Sequence, residues 1–380
     1  MEPAKTEPLT QLAVESAEQS NDPHALARAV YNRALILQEL KRIEEAELLH
    51  HRVYSILESA KASDASLAMA LQSLANFYFV TNRPAQAEPL LLRAANFPIR
   101  EKFPLVMAII LNSLGEVQFA LGQDRKAEAT FRRALSFHSA ITPVPTDDEF
   151  HYVLFHGEER ERLLALILNN QGVAAYRLGQ LKQAEKCWRQ SLQLYKSLPG
   201  RGGAMASPTA NLGELLRFQK RYTEAAEHLA DALSLFETTF GPESVRVGLV
   251  LNLLGNTLYE TGDLRQVRRL YERALGIFAK LGKDQGTETG VILSNFAELE
   301  VREGNTARAR EAYERSLVIM ERTLGPQHPL LVTTLLGQAA LYRKLGQRRE
   351  AKAVEKRTHA ILAGAARPGM VSLEDLQRGR

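Results

Sequence analysis

The sequence is poor in cysteine, since its 380 residues include only Cys187. A single thiol cannot form an internal disulfide, and this usage is typical of reducing compartments, so we expect a cytoplasmic protein. The first twenty residues contain acidic side chains and no apolar run, which argues against a signal peptide. The longest apolar stretch, around "PLVMAIIL", is much shorter than the ~20 residues of a membrane-spanning helix, so no membrane insertion is expected.

The sequence also lacks a large excess of charge of either sign. It contains 48 basic and 44 acidic residues, a net charge of +4, and this does not indicate nucleic-acid binding without a clustered patch. The densest basic stretch, residues 343–357, has seven basic and two acidic residues but no interleaved aromatic residues. We interpret it as a solvated terminal helix, with an RNA-associated adaptor as a weaker alternative.

Sequence motifs of common enzymes are missing as well. There is no Gly-rich phosphate loop, no G-x-S-x-G and no H-E-x-x-H. Cys187 precedes Trp188 on a helical stretch and fits a small packed side chain. His151 and His156 lie in an acidic stretch, but their i, i+5 spacing would separate them on a helix. We therefore predict no enzyme activity, no catalytic residue, no cofactor and no metal.

What the sequence does contain is an internal repeat. The segment "LNLLGNTLYETGDLRQVRRLYERAL", residues 251–275, has seven relatives in the chain, mostly spaced by 40–42 residues. Each repeat has small residues at three positions. The second position comes twelve residues after the first, and the third comes seven residues after the second. The first set is Ala34, Ala75, Gly115, Gly172, Gly213, Gly255, Ala297 and Ala339. The second set is Ala46, Ala87, Ala127, Ala184, Ala225, Val267, Ala309 and Ala351, and the third is Val53, Ala94, Ala134, Ser191, Ala232, Ala274, Ser316 and Thr358.

A turn residue separates the first two small positions in every repeat. It is glycine in five repeats and Asn82 in one, and both residue types tolerate the left-handed backbone that ends a helix. Lys41 and Lys220 occupy this position in the other two repeats, so we expect those two turns to differ. Apolar residues on either side follow the helical i, i+3, i+4, i+7 pattern, which predicts a helical hairpin. Four positions after the second small residue, a large side chain plugs the space between helices in several repeats: Phe131, Trp188, Tyr271 and Tyr313.

This pattern resembles the tetratricopeptide repeat, and the period near 42 is similar to that of the kinesin light chain type. The resemblance implies an all-α solenoid of sixteen helices in eight hairpins, stacked into a right-handed superhelix. We place the repeats at residues 24–62, 64–100, 104–140, 161–199, 204–240, 245–282, 287–324 and 329–363. An insertion at about 141–160 interrupts them, and residues 1–23 and 364–380 are predicted to be flexible tails. The motif "LGPQHP" at Gly325 is expected to end one helix and to start the next.

The resemblance also implies that the first helices line a concave groove. Residues spaced i, i+4, i+7 and i+11 along these helices would face it. The residues that we predict to line the groove are Asn170, Arg177, Asn211, Glu214, Asn256, Asn295, Glu298 and Arg302. Asn170, Asn211 and Asn295 occupy equivalent positions, and asparagine is a poor residue inside a helix. These amides either hold the backbone of a bound peptide or bridge neighbouring helices.

The predicted function is therefore a protein–protein interaction scaffold or adaptor that binds a peptide or a helical segment of a partner in the groove. The mixture of basic and acidic groove residues does not match the lysine-rich carboxylate clamp with which some relatives bind chaperone tails. A regulatory protein that senses a signal peptide is the alternative from another class. The sequence does not identify the partner.

Overall fold

A computed structural model describes residues 3–139, 157–198 and 202–364 of the chain. These ranges contain seventeen helices and no strand, which confirms the all-α prediction. The chain divides into two compact units, Met1–Ala174 and Ala175–Arg380, which we call the N-terminal unit and the C-terminal unit. Each is described by itself.

The helices follow one another along the chain as a single helix and then as helix-turn-helix pairs, which form the repeats. The N-terminal unit contains α1 (Pro3–Gln19), α2 (Pro23–Glu39), α3 (Ile43–Ser59), α4 (Asp64–Val80), α5 (Pro84–Ala95), α6 (Pro104–Ala120), α7 (Asp124–Ser139) and most of α8 (Gly157–Arg177). The C-terminal unit contains the end of α8, α9 (Leu181–Ser197), α10 (Gly202–Phe218), α11 (Tyr222–Phe240), α12 (Val245–Thr261), α13 (Leu264–Lys280), α14 (Thr287–Glu303), α15 (Thr306–Leu324), α16 (Leu331–Lys344) and α17 (Arg348–Gly364).

The three sets of small residues are buried in every repeat, so the predicted repeat register is confirmed. Their role is to let the two helices of a hairpin approach closely. A Cβ atom added at Gly255 would lie 2.5 Å from Cε1 of Tyr271, and one at Gly115 would lie 2.5 Å from Cε1 of Phe131. Both rings are 1% exposed, so the large residue of the second helix fills the space left by the glycine.

All eight turn residues adopt the left-handed conformation, including the two lysines. The expectation that their turns differ was wrong, since Lys41 has a φ of 63° and Lys220 a φ of 62°. The reason is a pair of backbone hydrogen bonds that closes the helix. The amide of Lys41 donates to the carbonyl of Gln38 (3.1 Å), and the next amide, of Arg42, donates to the carbonyl of Leu37 (2.9 Å). These two hydrogen bonds hold the turn in the left-handed conformation, although lysine does not favour it.

The described part of the predicted N-terminal tail is a helix, α1, rather than a flexible segment. It packs against α2, and its Val14 is 5% exposed in a cluster with Ala27 and Val30. Its Glu7 carboxylate accepts a hydrogen bond from Arg33 at 3.0 Å. Because a repeat leaves one apolar face for a neighbour to cover, α1 covers the outer face of the first repeat.

The "LGPQHP" motif ends α15 as predicted, with Gly325 at a φ of 90°. It also joins two repeats. Arg357, on the second helix of the next repeat, donates to the Glu321 carboxylate (2.6 Å) and to the carbonyl of Pro326 (2.9 Å). Two repeats earlier, Arg273 makes the same two contacts with the related motif. The recurring turn therefore ends a helix and also presents two acceptors to the following repeat.

Two predicted segments lie largely outside the described residues. The insertion at 141–160 is one, and only its last four residues are described, as the start of α8 at Gly157. These four residues belong to a helix, and α8 has 21 residues where α10, α12 and α14 have 17 each. The C-terminal tail at 364–380 is the other, apart from Gly364 at the end of α17.

A histidine takes the plug position in the first repeat. His50 is 2% exposed, and its ring centroid lies 5.0 Å from that of Phe77 and 5.9 Å from that of Tyr31. Its Nε2 atom has no hydrogen-bond partner. Burial, with a smaller contribution from the charge of His51, lowers the pKa of His50 to about 4.

We predict that Gly255→Ala lowers the free energy of unfolding by about 1–3 kcal/mol, because the Tyr271 ring has no room to move away. The matched control is Gly276→Ala, at an exposed position inside α13 with no atom within 4 Å of the added Cβ. It should stabilise the chain by about 0.5–1 kcal/mol, as expected for alanine in a helix. Urea unfolding followed by circular dichroism measures both. Equal shifts in the same direction would show that the helices are not in close contact at Gly255.

We also predict that His50 makes the chain sensitive to acid. Between pH 6.5 and pH 4 the unfolded state binds a proton that the folded state does not, so stability is lost as the pH falls. The loss should reach about 2 kcal/mol at pH 5. His50→Phe places an aromatic plug at the position and removes this contribution. Urea unfolding of both proteins at pH 7.5 and pH 5 tests it, and an identical pH dependence in the two would contradict the assignment.

Candidate functional site

The predicted groove residues lie along one face of the first helices, at offsets −6, −2, +1 and +5 from the first small residue of each repeat. We call this the first-helix face. Asn170 belongs to the N-terminal unit and the other seven residues to the C-terminal unit. Exposure differs among the positions of this face. Asn211 at offset −2 is 5% exposed, Glu298 at +1 is half-buried, and Arg302 at +5 is exposed.

Two of the three equivalent asparagines bond to the preceding first helix. The Nδ2 group of Asn170 donates to Oδ1 of Asn112 at 3.1 Å and to Oε1 of Glu116 at 2.9 Å. Asn295 donates in the same way to Oδ1 of Asn252 at 2.8 Å. These contacts support the interpretation that the asparagines bridge stacked helices. Contact with a bound peptide stays a prediction.

The side chains that accept these hydrogen bonds were missed by the sequence analysis. We call the series of bonds between successive first helices the amide ladder. Apart from Glu116, which lies at offset +1, each partner lies at offset −3, directly before the position of the asparagines, and bonds to offset −2 of the next repeat. A third member of the series joins Gln72 to Ser113, with 3.0 Å between Nε2 and Oγ. A recurring polar side chain at offset −3 was the signal, since Gln72, Asn112 and Asn252 all occupy it. The ladder links α4 to α6, α6 to α8, and α12 to α14.

Asn256 has a different role from the other amides. Its Oδ1 atom accepts a hydrogen bond of 2.6 Å from the hydroxyl of Tyr271. Tyr271 is the buried plug of the same repeat, and through this bond its hydroxyl reaches the first-helix face. Asn256 therefore satisfies the polar end of an otherwise apolar packing residue.

The basic residues at offset +5 bond to the preceding helix. Arg302 donates to the carbonyl of Tyr259 at 2.5 Å and stacks its guanidinium 4.7 Å from the centre of that ring. Lys344, one repeat later, donates to the carbonyl of Val301 at 3.2 Å. Both carbonyls lie in the last turn of a helix, where a cation is favourable, and that of Val301 also accepts a hydrogen bond from the amide of Gly304. These charges are thus used within the fold.

The acidic residues of the face are in a different situation. Glu298 on α14 is half-buried, and burial together with the nearby charge of Glu260 raises the pKa of its carboxyl group. Glu214 on α10 is 7% exposed. The first-helix face of the C-terminal unit therefore combines two basic side chains that are bound within the fold with the Glu298 carboxylate, whose charged form is disfavoured.

Several residues that could carry other chemistry have structural roles. Cys187 is 1% exposed and accepts a hydrogen bond at its Sγ atom from Gln183. His328 accepts a hydrogen bond at Nδ1 from the amide of Leu330 and so supports the start of α16. Among the described residues there is no group of three histidine, cysteine or acidic side chains placed to hold a metal ion. His151 and His156 lie outside the described residues.

The basic stretch at residues 343–357 is partly neutralised. Arg343 pairs with Glu355 at 2.5 Å, Lys344 caps α14, and Arg357 pairs with Glu321. Three of the seven basic side chains thus bind within the protein. This division of charge favours the interpretation as a terminal helix over that as an RNA-binding patch.

No described helix is both long enough and apolar enough to cross a membrane.

The comparison with protein families matches several segments of this chain to one type of repeat. A tetratricopeptide repeat model matches residues 203–280 and 288–363, and a second model of that repeat matches residues 165–198. Protein kinesin light chain-related 2 from Arabidopsis thaliana is 25% identical over 185 residues, which cover 49% of this chain and 27% of that protein. The chain thus spans about a quarter of the length of this relative.

Two solved structures are similar over most of the chain. The apo form of the quorum sensor NprR from B. thuringiensis has a TM-score of 0.67 at 12% identity and covers 91% of each chain. A Rap protein complexed with competence and sporulation factor has a TM-score of 0.56 at 14% identity and covers 94% of this chain and 100% of that chain. At these identities the likeness concerns the fold alone. Together with the family matches and the buried small residues, it leads to one conclusion: the chain is a tetratricopeptide repeat protein, distantly related to the kinesin light chain-related proteins.

Proposed function

We propose that this protein is a non-catalytic cytoplasmic scaffold or adaptor that binds a peptide or a helical segment of a partner protein. Tetratricopeptide repeats mediate protein interactions, and the binding surface we assign is the first-helix face of the C-terminal unit. The observation that carries the proposal is the exposure of this face. Phe218 is 49% exposed there, and Glu260 and Arg302 are exposed at the equivalent position of the next two repeats.

The mixture of an aromatic ring, carboxylates and amides suits a peptide. An exposed ring gives a partner an apolar contact, while charges at regular spacing fix its register and orientation. The asparagines at offset −2 differ in the hydrogen-bonding groups that they leave available to a bound peptide. Asn170 is 8% exposed, donates to two groups and accepts a hydrogen bond from Asn169. Asn295 is half-buried and donates to Asn252, so its carbonyl oxygen can accept from a peptide backbone.

A second candidate function is a peptide-gated regulator. It is favoured by the likeness of the fold to the quorum sensor NprR and to a Rap protein that was crystallised with competence and sporulation factor. In that case a bound peptide would change the dimensions of the chain. Small-angle X-ray scattering with and without a selected peptide separates the two candidates, because a scaffold keeps its radius of gyration.

We predict that a random heptapeptide phage library, panned on the immobilised full chain, yields enriched peptides that bind the first-helix face. Phe218→Ala should weaken their binding at least tenfold, because it removes an exposed ring from that face. The matched control is Phe240→Ala, which removes a ring of similar exposure, 45%, at the end of a second helix. It should change the dissociation constant less than twofold. Failure to enrich any peptide would contradict the proposed function, and equal effects of the two variants would contradict the assigned surface.

We further predict that Asn252 and Asn295 are coupled. A double-mutant cycle with Asn252→Ala and Asn295→Ala should give a coupling of about 0.5–1.5 kcal/mol in the free energy of unfolding, as expected for one hydrogen bond. Binding of a selected peptide is measured on the same preparations. If Asn295 also holds the ligand, Asn295→Ala weakens binding while Asn252→Ala does not. If both variants bind normally, Asn295 has only a structural role.

A further inference from the structure

The helix α1 occupies the position of a second helix, without a first helix of its own. Asn21 follows the end of α1 by two residues and Lys61 follows the end of α3 by two residues. Both adopt left-handed backbone conformations, with φ angles of 55° and 53°, and a first helix begins shortly after each. α1 therefore precedes α2 as α3 precedes α4, and it is equivalent to the second helix of a repeat.

A second helix such as α3 has neighbours on two sides. It packs against α2 of its own hairpin and against α4 of the next repeat. α1 packs against α2, which belongs to the next repeat, and no described helix precedes it. The register that aligns Asn21 with Lys61 places Ala13 at the position of Val53. Val53 is 4% exposed, whereas Ala13 is exposed, so the side of α1 that a first helix would cover is open.

The open side of α1 is apolar at its centre. Leu9 is 60% exposed and Leu12 59%, while Val14 on the opposite side is 5% exposed. Together with Lys5 and Ser16, these leucines have the spacing i, i+4, i+7 and i+11, which aligns side chains along one face of a helix. We call these four residues the α1 stripe. The outermost helix of a repeat stack needs a polar outer face to stay soluble, so two exposed leucines there indicate an interface.

The charges on this side of α1 favour a second copy of the same helix. Lys5 lies near the N-terminal end of α1 and Glu15 near the C-terminal end, and both are exposed. Glu15 accepts a hydrogen bond from Gln11 at 2.6 Å and has no ion pair with a described residue. An antiparallel second copy brings Lys5 of each copy within one helical turn of Glu15 of the other, whereas parallel copies place like charges together. The order of charges is thus self-complementary in a two-fold pair.

The other carboxylates of α1 are bound by neighbouring helices. Glu7 pairs with Arg33 at 3.0 Å and with Arg42 at 3.4 Å, and Glu18 pairs with Arg52 at 2.6 Å. These contacts are used within the N-terminal unit. The acidic group that a second copy meets on α1 is therefore Glu15.

We propose that two copies of this chain associate through their α1 stripes, antiparallel and related by a two-fold axis. Leu9 of one copy packs against Leu12 of the other, twice by symmetry, and each Lys5 lies near Glu15 of the other copy. A single pair of helices buries less than the ~1,600 Å² of a standard interface, so we expect a dissociation constant in the micromolar range. This association is independent of the proposed function, because the face assigned to peptides belongs to the C-terminal unit.

Sedimentation velocity of the full chain, from about 1 to 200 μM, measures the association. The wild type should change from the mass of one chain to that of two over this range. Leu9→Glu combined with Leu12→Glu places four carboxylates in the contact and should leave single chains at every concentration. The matched control is Leu48→Glu on α3, at a leucine that is 70% exposed, and it should associate like the wild type. Thermal melting should be similar in all three proteins, because the replaced side chains are exposed.

Charge reversal tests the antiparallel direction. Lys5→Glu changes two contacts of the dimer because of the symmetry, and it should raise the dissociation constant about fivefold or more. Glu15→Lys should have the same effect. The double variant, Lys5→Glu with Glu15→Lys, restores opposite charges at both contacts and should return the dissociation constant to within about twofold of the wild type.

The outcomes decide between the possible surfaces and directions. Single chains at every concentration of the wild type overturn the proposal. A dimer that survives Leu9→Glu with Leu12→Glu also overturns it, since another surface then holds the copies together. If the leucine variant is monomeric but neither single charge reversal weakens the dimer, the antiparallel arrangement is wrong. Loss of the dimer in the leucine variant, weakening by each reversal and recovery in the double variant support the proposal.

Discussion

The fold depends on one contact, the close approach of two helices at a small residue. In a hairpin such as α12–α13, Gly255 leaves the space that the Tyr271 ring fills, and Ala274 on the second helix is fully buried. A larger residue at Gly255 would push the helices apart and expose the apolar faces that neighbouring hairpins cover. The same geometry in successive repeats explains why the small positions recur while most surface positions vary. It also brings the Tyr271 hydroxyl to Asn256 on the first-helix face.

Contacts between repeats divide into three layers with different physical roles. Apolar side chains fill the centre, Arg273 and Arg357 bind the turns that contain Pro242 and Pro326, and the amide ladder joins the first helices. The ladder is mostly buried, where each hydrogen bond prevents an unpaired amide. It fixes the register of one first helix against the next, so that side chains at offsets +1 and +5 come into line. Binding residues can therefore vary from repeat to repeat without a change in the scaffold.

The sequence predicted the repeat register because three small positions and a turn recur at constant offsets, and chance does not produce such spacing eight times. It did not predict α1, since a single helix has no second copy to compare. It also misjudged Lys41 and Lys220, because backbone hydrogen bonds outweigh the residue preference there. For the candidate site, the offset of Asn295 was evident, but its bond to Asn252 was not. A pattern along one helix identifies a face and gives no information on which neighbour meets it.

The electrostatics of the first-helix face follow from the geometry of helix ends. Helix C-termini have unpaired carbonyls, and the basic residues at offset +5 lie where they can bind those of the preceding repeat. Arg302 and Lys344 thereby stabilise the stack and lose their availability to a partner. Glu298, one turn earlier at offset +1, carries a carboxylate, which has no donor for a carbonyl and takes no part in these contacts. The helix ends of the scaffold therefore bind two basic side chains of this face, while burial and the charge of Glu260 raise the pKa of Glu298 beside them.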